Sequence, residues 1–217
     1  MRNLAVTRTA QMNLARRTVR AAAPALMALG LAMGLAGCIS LGGPPPESLL
    51  TLSPTTRAPV GSGVAAGPDR AVITVLALDT PAKLDVLRVP VQVSATELAY
   101  LQEAFWVEKP ARLFRSLLGE TLRAKSGGSA LVLDSDETVA PATTSLRGTL
   151  IDMGYDASAS AVVVRFDAIR KDSEGRAITR RFEARESGIP AEARAVGAAI
   201  NRAANTVAGE VADWVVE

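Results

Sequence analysis

Val162, Val164, Phe166 and Ala168 alternate with Arg165, Asp167 and Ile169 inside the stretch Ala159 to Arg170. A period of two belongs to a strand with one packed face, and a helix, with its period of 3.6, cannot use it. Ser145 to Tyr155 precedes this stretch. Ala177 to Glu186 follows it across the polar turn Lys171 to Arg176, which contains Gly175. The three segments predict an antiparallel meander, with Ile178, Phe182 and Ala184 of the last one facing inward. A one-sided meander must lay its apolar face on a second layer.

Two helices supply candidates for that layer. Leu113, Phe114, Leu117, Leu118 and Leu122 recur at three- and four-residue spacing after Pro110, which fits a first helical turn. Gly127-Gly128 ends this helix. Pro190 opens a second, from Ala191 to about Val216, with its stripe on Val196, Ile200, Ala203, Val207, Val211 and Trp214. Its many alanines (Ala195, Ala199, Ala203) permit close packing on the chain's own sheet or, as the minority reading, on another subunit. Upstream, Ala71 to Leu78 reads as a buried strand. Leu87 to Val93 reads as a second, with Leu87, Val89, Val91 and Val93 on one face and Pro90 demanding an edge or a bulge. Leu98 to Leu101 pairs with it, and Ala130 to Leu133 is one more short strand. The order β-β-β-α-β-β-β-β-α predicts an α+β fold: a mixed, mostly antiparallel sheet with two helices packed on one face.

The first third of the chain has a different composition. Arg16, Arg17 and Arg20 precede an uncharged apolar segment, Ala21 to Gly37, which ends in Leu35-Ala36-Gly37-Cys38. A basic region, an apolar run and small residues before the cut make a secretory signal. The lipobox at its end, holding the only cysteine, is similar to a bacterial lipoprotein signal, and that resemblance implies cleavage before Cys38 and its acylation. An uncleaved anchor and an ordinary signal with an incidental cysteine are the competing readings. The strongly apolar part is shorter than the roughly 20 residues a span needs. Met12 is an alternative start. The expected division is a signal peptide over 1–37, a Gly/Pro-rich tether over 38–68 and a domain over 69–217, with Leu49 to Leu52 able to pair as a short edge strand.

Composition excludes several function classes. The removed segment carries five of the 24 basic residues and none of the 22 acidic ones, which leaves the mature chain at a net charge of −3. No basic patch is visible, so no nucleic-acid partner is expected. There is no histidine, the commonest general base and metal ligand, and the sole cysteine is assigned to lipid. Neither a metal nor another cofactor is therefore expected, and no Gly-x-Ser-x-Gly elbow points to an enzyme. Asp134, Asp136 and Glu137 lack the spacing of a calcium loop and read as a solvated acidic turn.

With these features in order, the chain resembles the ABC-type transport auxiliary lipoprotein family. The lipobox, the extended pair Leu87 to Leu101, the run Trp106-Val107-Glu108-Lys109-Pro110 followed by Leu113-Phe114, the antiparallel block Thr144 to Glu186 and the closing helix carry the resemblance. It implies a non-catalytic periplasmic lipoprotein held on a membrane by Cys38. The partners it implies are an ABC permease and ATPase and a mammalian-cell-entry (MCE) domain protein, in a system moving phospholipid or other hydrophobic molecules. Ile39 after the cysteine favours the outer membrane. The alternative function is an envelope-biogenesis lipoprotein that assists assembly of an outer-membrane protein or glycolipid exporter. Cys38 is the assigned lipidation site. Trp106 is a candidate partner contact, weighed against core packing beside the leucine stripe. Arg180, Arg181 and Arg185 read as a solvated strand face, and a homo-oligomer is a further possibility.

Overall fold

The structure, a computed structural model, describes residues 48–65, 67, 70–135 and 141–217. The signal peptide, Cys38 and the acidic positions Asp136 and Glu137 lie outside the described residues. Seven strands form one sheet: β1 (Ala71–Val75), β2 (Arg88–Gln92), β3 (Leu98–Phe105), β4 (Ala130–Leu133), β5 (Thr144–Asp156), β6 (Ala161–Asp172) and β7 (Ala177–Ser187). The helices are α1 (Pro110–Ser126), between β3 and β4, and α2 (Ala193–Val216), after β7. The α+β architecture and the order of elements agree with the sequence reading.

The long strand β5 organises the sheet. Along one side it pairs antiparallel with β6, which pairs antiparallel with β7, giving the expected meander. Along its other side the first part of β5 takes β1 in parallel, and its last residues take β2 in parallel. β4 extends the sheet beyond β1 in parallel, and β3 extends it beyond β2 as an antiparallel hairpin. The segment between β1 and β2 follows the edge of β5 by single bonds. Leu76 N donates to Leu146 O, Asp79 N to Gly148 O, and a 3-10 turn at Ala82–Leu84 leads into β2.

Both helices lie on one face, over a single core. Val162, Val164, Phe166 and Ala168 of β6 point into it with Leu146, Leu150, Met153 and Tyr155 of β5. From α1 come Phe114, Leu118 and Leu122; from α2 come Val196, Ile200, Val207 and Val211, all without exposure. Phe114 meets Phe166 edge-on, with ring centroids 5.3 Å apart. Such a pair is worth about 0.5–1.5 kcal/mol beyond the area it buries. The alanines Ala199, Ala203, Ala204, Ala208 and Ala212 are fully buried, so the small-residue stripe of α2 is used within the chain.

Expectations about the strands are corrected at several points. β1 stops at Val75, short of the expected Leu78, because Arg115 captures the Val75 carbonyl with Nε at 2.9 Å and Nη2 at 2.8 Å. Leu87 and Val93 do not share the buried face of Val89; both flank β2 and stay partly exposed. Ile178 is half exposed, because it lies near the turn end of the β6–β7 hairpin, past the ring contact of Phe182 with Trp214. Pro90 produces a register shift, the bulge its missing N–H required, while β2 itself is flanked on both sides. β3 runs four residues further than expected, to Phe105, through a left-handed backbone at Glu103 (φ 56°).

Residues 48–58 fall in the segment whose composition reads as tether, yet they are fastened to the domain. Leu50 bridges Trp106 and packs on α2, where a side chain at Gly197 would meet Leu50 Cδ2 at 2.6 Å. Ser53 N donates to Asn201 Oδ1 (2.7 Å), Thr55 N to Asn205 Oδ1 (2.8 Å) and Ala58 N to Glu120 Oε1 (3.0 Å). Pro54 suits an extended strap, and the helices supply its hydrogen-bond partners. The expected short edge strand at Leu49 to Leu52 is the single bridge at Leu50.

Candidate functional site

The face of the sheet away from the helices is open and charged. Its geometry depends on a bulge in β5, where the register shifts between Leu150 and Asp152. Before it, Leu146 and Leu150 point to the core; after it, Met153 and Tyr155 do, so inward parity passes from even to odd. The shift turns Asp152, Gly154 and Asp156 onto the open face. The parity change between Leu146/Leu150 and Met153/Tyr155 is visible in the sequence and is the signal that locates the bulge.

Cross-strand ion pairs cover that face. Arg165 on β6 donates through Nη1 to Asp152 Oδ2 and through Nε to Glu183 Oε2 on β7, each at 2.6 Å. Lys83, from the turn before β2, also pairs with Asp152. Arg181 grips Asp167 with both arms, at 2.6 and 2.7 Å, and Arg185 reaches Asp156 at 3.0 Å. The Ser158 hydroxyl at 2.7 Å, then Arg185, hold the Asp156 carboxyl below its ordinary range; Arg181 does the same for Asp167. Glu183 raises the Arg165 guanidinium above its ordinary value.

A shallow cavity of about 270 Å³ opens in this face, walled by Lys83, Asp152, Asp156, Arg165 and Arg185, with Pro90, Leu98 and Val163 as apolar lining. Gly154, on its wall, lets β2 come close to β5: a Cβ there would come within 2.5 Å of the Pro90 carbonyl. Both cavity carboxylates are held by cations, which ties up the lone pairs a general base would use. Among the described residues no group of three or more His, Cys, Asp or Glu is placed to hold a metal ion. The arrangement suits contact with another surface: alternating charges in fixed register confer specificity more than affinity.

The residues singled out from sequence are now placed. Trp106 is 1% exposed, inside the core cluster, so its ring is used for packing and offers no side-chain surface to a partner. Its Nε1 is buried with no hydrogen-bond partner, as is Thr74 Oγ1. Arg181 and Arg185 belong to the ion-pair ladder, while Arg180 lies over the Phe182 ring at 4.9 Å. Asp134 pairs with Arg123 of α1 and sits where any side chain at Gly119 would collide with it. Cys38 lies outside the described residues. Sequence reading missed Asp152, Asp156 and Lys83, since their partners come from distant strands.

No described helix is long and apolar enough to cross a membrane. Among solved structures, protein XCC0632 from Xanthomonas campestris is similar at 21% identity, with 77% of this chain and 92% of that one covered and a TM-score of 0.60. A second, an uncharacterized protein, is similar at 14% identity over 67% of this chain and 92% of its own, with a TM-score of 0.59. These likenesses show the fold. No curated protein matches the sequence. The family model described as the ABC-type transport auxiliary lipoprotein component matches residues 50–212, from the strap to the last turns of α2. Strap, sheet and both helices are thus one family unit, and the chain belongs to the ABC-type transport auxiliary lipoprotein component family.

Proposed function

We propose that the protein is anchored through acylated Cys38 on the periplasmic side of the cell envelope, at the outer membrane. There it serves an ABC/MCE-type transporter of phospholipid or other hydrophobic molecules as a non-catalytic auxiliary component. The observation that carries this reading is the family match across 50–212. The lipobox Leu35-Ala36-Gly37-Cys38 supplies the anchor, and Ile39 after it favours the outer membrane. The charged open face of β5, β6 and β7 supplies a surface for a permease, ATPase-linked or MCE-domain partner, in keeping with a role through contacts.

In-cell crosslinking from the tagged, acylated protein tests the reading, with mass spectrometry of what is captured. An MCE-domain protein or an ABC permease is the expected catch. Capture of an outer-membrane assembly or glycolipid-export machine in their place overturns the transport assignment. Cys38→Ala is expected to leave a soluble or signal-anchored precursor without acyl chains and to abolish transport while the melting temperature of the domain stays unchanged.

A further inference from the structure

The cavity in the open face lies where two kinds of surface meet. On one side stand Lys83, Arg165 and Arg185 with Asp152 and Asp156; on the other the wall is Pro90 and Leu98. The register of the β2–β3 hairpin carries that second wall onward. Gln92 pairs with Leu98, Pro90 with Tyr100 and Arg88 with Phe105, and directly opposed residues share a face. The Arg88 guanidinium lies 5.3 Å from the Tyr100 ring centroid and 5.6 Å from that of Phe105, which sets both rings on that face. Leu98, Tyr100 and Phe105 therefore form a strip leading away from the charged cavity, and Leu98 is 40% exposed.

The polar groups of the cavity are unequally satisfied. Asp156 accepts at Oδ1 from Ser158 N (3.1 Å), the Ser158 hydroxyl (2.7 Å) and Ala159 N (3.3 Å), and at Oδ2 from Arg185 Nη2 (3.0 Å). Asp152 takes Lys83 on one oxygen and Arg165 Nη1 on the other. A guanidinium carries five N–H donors and an ammonium three. Lys83 uses one on Asp152, Arg185 one on Asp156, and Arg165 one on Asp152 and one on Glu183. The unmet capacity is therefore mostly N–H, and guanidinium forks match the oxygens of a phosphate. Net charge does not select a bare anion, because Asp152, Asp156 and Glu183 balance the three cations. Two further acids are exposed on the hairpin. Glu97 stands between the wall residues Gln92 and Leu98, with its carbonyl accepting from Gln92 Nε2 at 3.2 Å, and Glu103 lies in the bulge beyond Tyr100. Free donors inside a balanced cluster, with an exposed carboxylate next to them, complement a zwitterion.

We propose that the cavity and strip bind one phospholipid molecule whose zwitterionic headgroup ends in a primary ammonium. Unused N–H groups of Lys83, Arg165 and Arg185 hold the phosphate oxygens and Glu97 meets the ammonium. The first acyl carbons lie along Leu98, Tyr100 and Phe105. The proposal rests on the reading of the chain as a component of a phospholipid-moving system, and it names a contact that such a component makes with the cargo itself. Size agrees with a headgroup site. At about 270 Å³ the cavity is smaller than the roughly 300–1,000 Å³ that enclose a whole drug-sized ligand, so the remainder of the acyl chains stays outside it. A shallow site of this kind holds its ligand in passing, which suits a step in a transfer.

The test uses the full acylated chain in dodecyl maltoside micelles. The probe is a phosphatidylethanolamine with a diazirine near the ester end of one acyl chain, and labelled peptides are mapped by mass spectrometry after illumination. Labelling is expected to concentrate on residues 98–105. Lys83→Gln with Arg185→Gln should lower it about tenfold. Leu98→Asp should lower it about threefold. Arg147→Gln, a cation of β5 outside the cavity wall, should leave it unchanged. Asp152 keeps Arg165 and Asp156 keeps Ser158 in the double variant, so its melting temperature should hold. Competition on the unaltered chain needs no variant. Unlabelled dioleoyl-phosphatidylethanolamine should displace the probe about fivefold better than dioleoyl-phosphatidylglycerol, and inorganic phosphate should not displace it. Equal displacement by phosphatidylglycerol or by inorganic phosphate overturns the zwitterion assignment. Labelling spread over the surface, from a chain that still captures an MCE-domain protein or an ABC permease, overturns the site and leaves the transport reading standing. Labelling at 98–105 from a chain that captures other machinery supports the site and overturns that reading.

Discussion

The two faces of the sheet are made by the same strands and are held by different physics. On the helix side, Leu146, Leu150, Val164 and Phe166 have no exposure and meet Phe114, Leu118 and Val207 in one apolar layer. On the open side, Asp152, Arg165, Glu183, Asp167 and Arg181 keep part of their surface in water and are joined by ion pairs. Burying a large apolar side chain is worth about 1.5–3 kcal/mol, whereas an exposed ion pair contributes about 0–1 kcal/mol. Stability therefore resides on the first face. The second is free to change with little cost to the fold, and that freedom suits a surface selected for its partner.

The sharpest way to break this contrast is to damage the helix side. Phe166→Ala removes the ring that meets Phe114 edge-on and leaves a cavity under α1. It should cost about 3–5 kcal/mol in denaturant unfolding. Gly148→Ala attacks the same place by overpacking. Its Cβ would come within 2.1 Å of the Asp167 carbonyl and 2.7 Å of the Phe166 ring, so the β5–β6 ladder must shift. A loss of about 1–3 kcal/mol is expected by the same measurement. A loss below 1 kcal/mol from Phe166→Ala would mean that the face does not hold the fold.

The strap sharpens the comparison, since it belongs to the helix side although its composition reads as linker. Leu50→Ala should cost about 1–2 kcal/mol, less than a fully buried leucine because Leu50 is partly exposed. A fragment covering 69–217 should melt below one covering 48–217, because it loses Leu50, Leu52 and the bonds to Asn201 and Asn205. Equal melting temperatures would return the domain boundary to residue 69.

Elements governed by local periodicity were legible in the sequence. The alternation from Val162 to Ala168, the leucine stripe of α1 and the wide stripe of α2 each announce their buried side without outside information. Pairings between distant segments were not legible. Nothing local to Ala71–Val75 says that it lies between β4 and β5, or that β2 follows it on the same edge of β5. Lys83, Asp152 and Arg165 likewise become one cluster only once register is known. The strap was hidden because Leu50 and Leu52 beside Pro54 carry little periodic signal, and the partners of Ser53 and Thr55 lie some 150 residues away in α2. Cys38 is the reverse case, a proposed lipidation site that rests on sequence alone.

On the open side the expected effects are small. Arg181→Ala removes a two-armed grip on Asp167, but the guanidinium is well exposed, so the loss of stability should be slight and shrink further in high salt. If the open face is the docking surface, the same substitution should weaken partner capture in the crosslinking experiment far more than it lowers the melting temperature. A large fall in melting temperature would erase the distinction between the faces.

The smallest effect is in pH, and its sign follows from the carboxylates of this face and the adjoining β6–β7 turn. Asp156, Asp167 and Asp172 are all held below the ordinary value of 3.8, by Ser158 and then Arg185, by Arg181, and by Arg176 respectively. A carboxyl whose folded value is depressed adds stability that is fully present above its unfolded value. That stability is lost as pH falls through the folded one. The melting temperature should therefore hold between about pH 7 and pH 5 and decline below about pH 4. Asp167→Asn should flatten the acid limb, because an amide has no proton to gain, and should leave the neutral plateau nearly where it was. Arg165 and Arg181 are displaced upward, so their contribution is complete throughout this window and adds no slope to it. An acid limb unchanged by Asp167→Asn would show that the Asp167–Arg181 pair contributes nothing measurable to the fold, and would leave the open face without any share in stability.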